Sequence, residues 1–209
     1  TLDALRIHKP DIGRKSVARM LELGTGTGCI IVTLLKELET RRDTSEQTWH
    51  GVAVDIQKGA LKMAELNAKE NGVSGERLTF CESNWCEALQ EQGLAYEYDV
   101  VVSNPPYLTD WDWENVPKTI KNFEPPVAFI GGTDGLNCYR EILRQTPAVM
   151  KEGALICLEI GAWQEEQIVQ LFTSQNAFRH LKSARDLEGH MRVVIFQRNM
   201  PHQREHEAL

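Results

Sequence analysis

A chain of 209 residues that is 42% hydrophobic and 25% charged has enough apolar material for one core and none of the bias of disordered or fibrous sequences. No apolar run approaches the roughly 20 residues that span a bilayer, so a membrane helix is excluded, and no basic stretch leads into an apolar one as in a secretory signal. The net charge of -7 weighs against long nucleic-acid tracts as partners, since that binding draws on Lys and Arg neutralising phosphates.

In chain order, residues 18–23 form an apolar strand that runs into Gly24-Thr25-Gly26-Thr27-Gly28, and residues 29–38 carry a helical pattern. Residues 40–48 are polar and read as an exposed loop. Strand 51–55 follows, then helix 58–71 and strand 78–81. Strand 99–103 runs into Asn104-Pro105-Pro106-Tyr107. The remainder is read as helix 139–150, strand 155–160, helix 164–174 and strand 192–197, with Gly153 and Gly161 punctuating strand boundaries. Strands alternating with helices predict a parallel sheet covered on both faces.

The end of the chain breaks this alternation. Residues 180–186 read as a strand, and only five residues separate them from strand 192–197. That is too short for a parallel crossover, so the last pair is expected to be an antiparallel hairpin. An α/β sheet of seven mostly parallel strands finished this way resembles the Rossmann-like class I methyltransferase fold. The cysteines at 29, 81, 86, 138 and 157 are odd in number and scattered. They suit reduced thiols in an intracellular protein, cytoplasmic or, in a eukaryote, mitochondrial. No pairing of Cys and His has metal spacing, so no metal is expected.

The loop from Gly24 to Gly28 lets the backbone approach a ligand closely, and the helix behind it offers free N–H groups to an anion. A dinucleotide fingerprint is G-x-G-x-x-G, whereas this loop is G-x-G-x-G. Asp55 ends the next strand, where a carboxylate can accept both ribose hydroxyls of a nucleoside cofactor. It serves equally as an ordinary helix cap ahead of Lys58. At the end of the third strand, Asn84 is placed to meet an adenine amino group and Trp85 to pack on the base or in the core. Together with Glu22 and Thr25, these residues predict a site for S-adenosylmethionine, with a nicotinamide cofactor as the weaker reading.

Asn104-Pro105-Pro106-Tyr107 carries its own chemistry. An amide or aniline-like nitrogen has its lone pair delocalised and needs help to present it to a methyl donor. The Asn104 side-chain oxygen and the Pro105 carbonyl can each accept one N–H, turning the lone pair toward the methyl carbon. Asn104 thus lies against the cofactor as well as the substrate. Pro105 and Pro106 fix φ, so these acceptors are set in advance. Tyr107 can lie against the planar group. The same arrangement serves base amino groups and side-chain amides, and the tetrapeptide alone does not separate them.

Further motifs follow: Phe123-Glu124-Pro125, Gly131-Gly132-Thr133-Asp134-Gly135-Leu136, Tyr139-Arg140, Leu158-Glu159-Ile160-Gly161 with Gln164, and Asp186-Leu187 ahead of Gly189 and Arg192-Val193-Val194. From about Leu21 to Phe196 the series resembles the HemK/PrmC family, the glutamine methyltransferases of peptide-chain release factors. The resemblance implies methyl transfer from S-adenosylmethionine to the Gly-Gly-Gln glutamine of a class I release factor. It places Gly24, Gly26, Gly28, Asp55 and Asn84 at the cofactor, the tetrapeptide at the glutamine, and Glu124 near the substrate. Glu22 and Asn84 stand where the family usually has Asp. A catalytic domain over residues 1–199 with a polar tail at 200–209 is expected. The family's N-terminal helical domain and its Pro-Arg-Pro segment are not in this chain. Three alternatives remain open: a ribosomal-protein glutamine, an adenine amino group in nucleic acid, and a non-catalytic cofactor-binding scaffold.

Overall fold

The computed structural model describes residues 17–40, 48–73 and 75–200. The expected loop at 40–48 and the tail at 200–209 therefore lie almost wholly outside the described residues. Seven strands form one sheet: β1 (Val17–Leu23), β2 (Thr48–Asp55), β3 (Leu78–Glu82), β4 (Tyr98–Ser103), β5 (Met150–Glu159), β6 (Phe178–Arg185) and β7 (Met191–Arg198). Their order across the sheet is β3-β2-β1-β4-β5-β7-β6. The first five are parallel, and β7 joins β5 and β6 antiparallel. The expected α/β fold with its antiparallel C-terminal hairpin is what the chain adopts.

The central strands are buried on both faces, which is why β1, β4 and the second half of β5 read as apolar runs, whereas β3 and β6 at the edges alternate with exposed residues. Leu21, Leu23, Val101, Ile156 and Leu158 point to one core, and Met20, Val100, Val102, Leu155 and Cys157 to the other. Helix α1 (Cys29–Thr40) covers the second face through Ile31, Val32 and Leu35, and α2 (Lys58–Glu70) joins it through Ala68. On the first face, α5 (Asn137–Gln145) contributes Tyr139 and Ile142, and α6 (Glu165–Thr173) contributes Ile168 and Phe172. Phe172 stacks on Phe196 of β7 at 4.8 Å, fastening the hairpin to that core.

Two readings of the chain are corrected. The helix expected at 139–150 ends at Gln145, continues as a 3-10 turn over Thr146–Ala148, and gives way to β5 at Met150. Pro147 has no N–H to continue the helix, and the Thr146 hydroxyl takes the Ile142 carbonyl instead. Gly153 is not a strand boundary but a kink inside β5. Its φ is +73°, the pairing with β4 slips nearby, and the Gln197 amide holds its carbonyl at 2.8 Å. Between β4 and α5 the chain also forms two short helices, α3 (Asp110–Asn115) and α4 (Lys118–Lys121), and a 3-10 turn over Pro126–Ala128. Among the described residues no helix is long and apolar enough to cross a membrane.

Candidate active site

Strand order reverses between β1 and β4, and ligands of open α/β sheets bind beyond the carboxyl ends of the strands at such a point. The glycine loop leaves β1 there. A Cβ on Gly28 would lie 3.0 Å from Ala64 Cβ, so that glycine lets α2 pack against the loop. A Cβ on Gly26 would meet nothing within 4 Å, so the loop presents an open backbone surface. Asp55 ties the end of β2 to this surface. Its Oδ2 accepts the Gly26 N–H at 2.8 Å and its Oδ1 the Gln57 N–H at 2.8 Å. The residue capping α2 is Gln57, without a side-chain cap bond. Asp55 therefore braces the loop rather than serving as the helix cap.

Glu22 lies beneath the same loop, 1% exposed, and accepts the Thr25 hydroxyl. Burial pushes its carboxyl up to about 8, against the Thr25 and Ile31 hydrogen bonds that favour the charged form. Glu22 and Thr25 thus form the floor that shapes the loop. Asp55, by contrast, reaches the loop surface through its bond to the Gly26 N–H.

Past β3, Asn84 is exposed and its amide nitrogen donates to Glu87 Oε2 at 3.1 Å. A carboxylate at 84 in place of this amide would face the Glu87 carboxylate. Trp85 is half-buried on the core and holds a left-handed backbone with φ +54°. That conformation is strained for a residue with a side chain, a pattern concentrated at functional sites. A Cβ built on Gly24 would lie 3.9 Å from Trp85 Cζ3, so the indole closes one side of the glycine loop. Ile56, Ser83 and Asn84 line an open cavity of about 410 Å³ alongside. An open glycine backbone, a carboxylate and an aromatic ring suit the polar tail, ribose and base of a nucleoside cofactor.

The tetrapeptide leaves β4 beside this pocket. The Ser103 hydroxyl donates to the Leu23 carbonyl at 2.8 Å, locking the ends of β4 and β1 together. Asn104 is exposed, Pro105 is buried, and Pro106 and Tyr107 are half-buried. Beyond them Leu108 pairs with Ile130, its N–H donating to the Phe129 carbonyl and its carbonyl accepting the Gly131 N–H, each at 2.8 Å. The turn from Gly131 to Gly135, which reads as flexible in the sequence, is pressed against the back of the tetrapeptide. A Cβ on Gly131 would lie 2.8 Å from the Pro106 carbonyl oxygen. Burial and the nearby Glu159 carboxyl push the Tyr107 phenol up, while Arg192 acts in the opposite direction. Arg192 is itself held by Asp186 Oδ2 at 3.0 Å.

Glu124 sits exposed after α4, its N–H on the Ile120 carbonyl, and among the described residues no hydrogen bond or ion pair joins it to the tetrapeptide. Gln164 is the polar residue whose task residue-by-residue reading missed. It is fully buried and donates to the carbonyls of Tyr107 and Gly135. Its presence in the Leu158–Gln164 motif was the available signal. Among the described residues no group of three or more His, Cys, Asp and Glu gathers to hold a metal.

The pattern of a family described as "Methyltransferase domain" matches residues 14–199. The chain belongs to that family. It is 38% identical over 178 residues to a "Bifunctional methyltransferase" of Rickettsia felis, covering 85% of this chain and 31% of the relative. It is 32% identical to a "Release factor glutamine methyltransferase" of Bacillus cereus, covering 83% of this chain and 57% of the relative. The chain thus spans from about a third to somewhat over half the length of these curated relatives. The crystal structure of a ribosomal protein L11 methylase from Lactobacillus delbrueckii subsp. bulgaricus superposes with a TM-score of 0.60 at 15% identity, covering 94% of this chain and 77% of that one. At that identity the likeness is one of fold.

Proposed function

We propose that this methyltransferase domain moves the methyl group of S-adenosylmethionine to the side-chain nitrogen of a protein glutamine, the one in the Gly-Gly-Gln motif of a class I release factor. The observation that carries the reading is Asn104-Pro105-Pro106-Tyr107 held at the end of β4, next to the open glycine loop at the sheet's switch point. The names of relatives more than 30% identical support the choice of a glutamine.

The cofactor supplies an electrophilic methyl group on a sulfonium. The chain's residues do the rest. Gly24, Gly26 and Gly28 cradle the cofactor's tail, Asp55 accepts from the ribose, and Asn84 and Trp85 hold the base. Asn104 Oδ1 and the Pro105 carbonyl accept the two N–H groups of the target amide. No general base is needed at the outset, because the nitrogen becomes acidic as it gains the methyl group. Orientation and charge complementarity supply the rate. The five cysteines, odd in number and scattered along the chain, suit an intracellular setting.

Asp55→Ala weakens S-adenosylmethionine binding by about 1–3 kcal/mol, the cost of leaving hydrogen-bond partners unsatisfied. Titration calorimetry measures it, and binding of NADH in place of S-adenosylmethionine would refute the cofactor assignment. Incubation with labelled S-adenosylmethionine tests the acceptor. Label is expected on a release factor and absent from its Gln→Ala variant and from DNA, whereas transfer to DNA alone would make the acceptor an adenine amino group.

A further inference from the structure

We infer that Gln164 is a positioning residue for methyl transfer: its buried amide fixes the far side of the Asn104–Tyr107 loop and so aims the Pro105 carbonyl. This rests on the methyl-transfer reading above. The prolines fix φ at 105 and 106 and hold Asn104 and Pro105 extended, but they leave ψ of Pro106 and the backbone of Tyr107 free, so they do not by themselves fix the far end of the loop. The near end is held by β4, with the Ser103 hydroxyl on the Leu23 carbonyl. The far end needs a second hold.

Gln164 supplies it from the N-cap of α6, with 0% exposure. Its Nε2 donates to the Tyr107 carbonyl at 3.2 Å and to the Gly135 carbonyl at 3.3 Å. Its Oε1 accepts the Gly161 N–H at 3.0 Å. One amide thus bridges the tetrapeptide, the glycine turn and the loop after β5. Glycine at 135 and 161 makes the approach possible. A Cβ at 161 would lie 2.9 Å from Gln164 Oε1, and one at 135 would lie 2.7 Å from Gln164 Nε2 and would clash with the Tyr107 carbonyl. Two donors and an acceptor are required at this one point, and among the neutral side chains only Asn and Gln carry that set on one planar group.

Gln164→Glu separates positioning from mere filling. The carboxylate still accepts from Gly161 but turns a negative charge on two carbonyls. The protonated acid regains one donor, and burial raises the pH at which that proton is lost. We expect kcat on a release factor to fall roughly 10–100-fold at alkaline pH, as a misplacement of about 1 Å costs. The KM for the release factor and the Kd for S-adenosylmethionine should stay within about two-fold. The ratio of variant to wild-type kcat should climb as pH is lowered from about 9 to 6 and loop geometry is restored. A ratio flat across that range, or a loss confined to cofactor affinity, would overturn the proposal. Hydrogen exchange of the full chain makes the test independent of turnover. In Gln164→Leu, with the rest of the fold intact, the amides of Tyr107, Leu108 and Thr109 should exchange faster than in wild type. If wild type transfers no methyl group to a glutamine, the functional reading fails. In that case faster exchange at 107–109 still supports the anchoring role, and unchanged exchange overturns it.

Discussion

Asn104→Ala should lower kcat by a factor on the order of 10²–10³, the usual cost of removing one preorganised polar partner of a transition state. Binding of S-adenosylmethionine should stay nearly intact, because the glycine loop, Asp55 and Trp85 are not disturbed. Asn104 is exposed at the end of β4, and Ser103 rather than Asn104 secures the strand end. The substitution therefore removes an acceptor without opening a hole in the core. Asn104→Asp retains an acceptor oxygen in the same place and should keep activity between that of wild type and that of the Ala variant. Single-turnover kinetics with a release factor separate the effect on chemistry from the effect on binding. Wild-type rates in Asn104→Ala would mean that the Asn104 oxygen does not orient the acceptor.

The second large effect is on stability. Burial raises the Glu22 carboxyl to about 8 in the folded protein, against an ordinary value of 4.5. The folded state therefore holds this proton more tightly than the unfolded state does. The contribution is complete below about pH 4.5 and is lost as pH rises toward 8, at about 1.4 kcal/mol per pH unit within that window. Glu22→Gln keeps an acceptor for the Thr25 hydroxyl and has no proton to lose. Urea denaturation at several pH values should show the Gln variant pulling ahead of wild type as pH rises from 5 to 8, by several kcal/mol in all. Parallel pH profiles for the two proteins would show that Glu22 is not held protonated under the loop.

Much of the fold was legible because the central strands are buried on both faces. β1, β2, β4 and β7 therefore stand out as apolar runs, and the short gap before Met191 forces a hairpin. The start of β5 was hidden: Lys151, Glu152 and a kinked Gly153 interrupt its apolar character, while Pro147 sits inside what reads as a continuous helix. The segment from Asp110 to Ala128 has no helical or strand period, and its short elements are set by caps such as the Thr109–Asp112 capping box. At the site, Asn104-Pro105-Pro106-Tyr107 stands out in the sequence because two prolines after an amide are an unusual way to end a buried strand. Asp55 could be read as the last residue of β2, but its bond to Gly26 N–H depends on how β2 and β1 align. Asn84 shows what a single position does not reveal: the turn after β3 brings Glu87, three residues on, to its amide. Gln164 is legible only in three dimensions, since its partners lie 57 and 29 residues away in the chain.

The most direct test of glutamine methylation is the chemical fate of the transferred group. A release factor methylated by this chain with labelled S-adenosylmethionine can be hydrolysed in acid. An N-methylated glutamine side chain breaks down to glutamate and methylammonium, so the label should be recovered as methylamine, volatile once the hydrolysate is made alkaline, and none should appear from the Gln→Ala release factor. Label retained on a different amino acid, or present equally in the Gln→Ala protein, would contradict the orientation of a glutamine amide by Asn104 and Pro105.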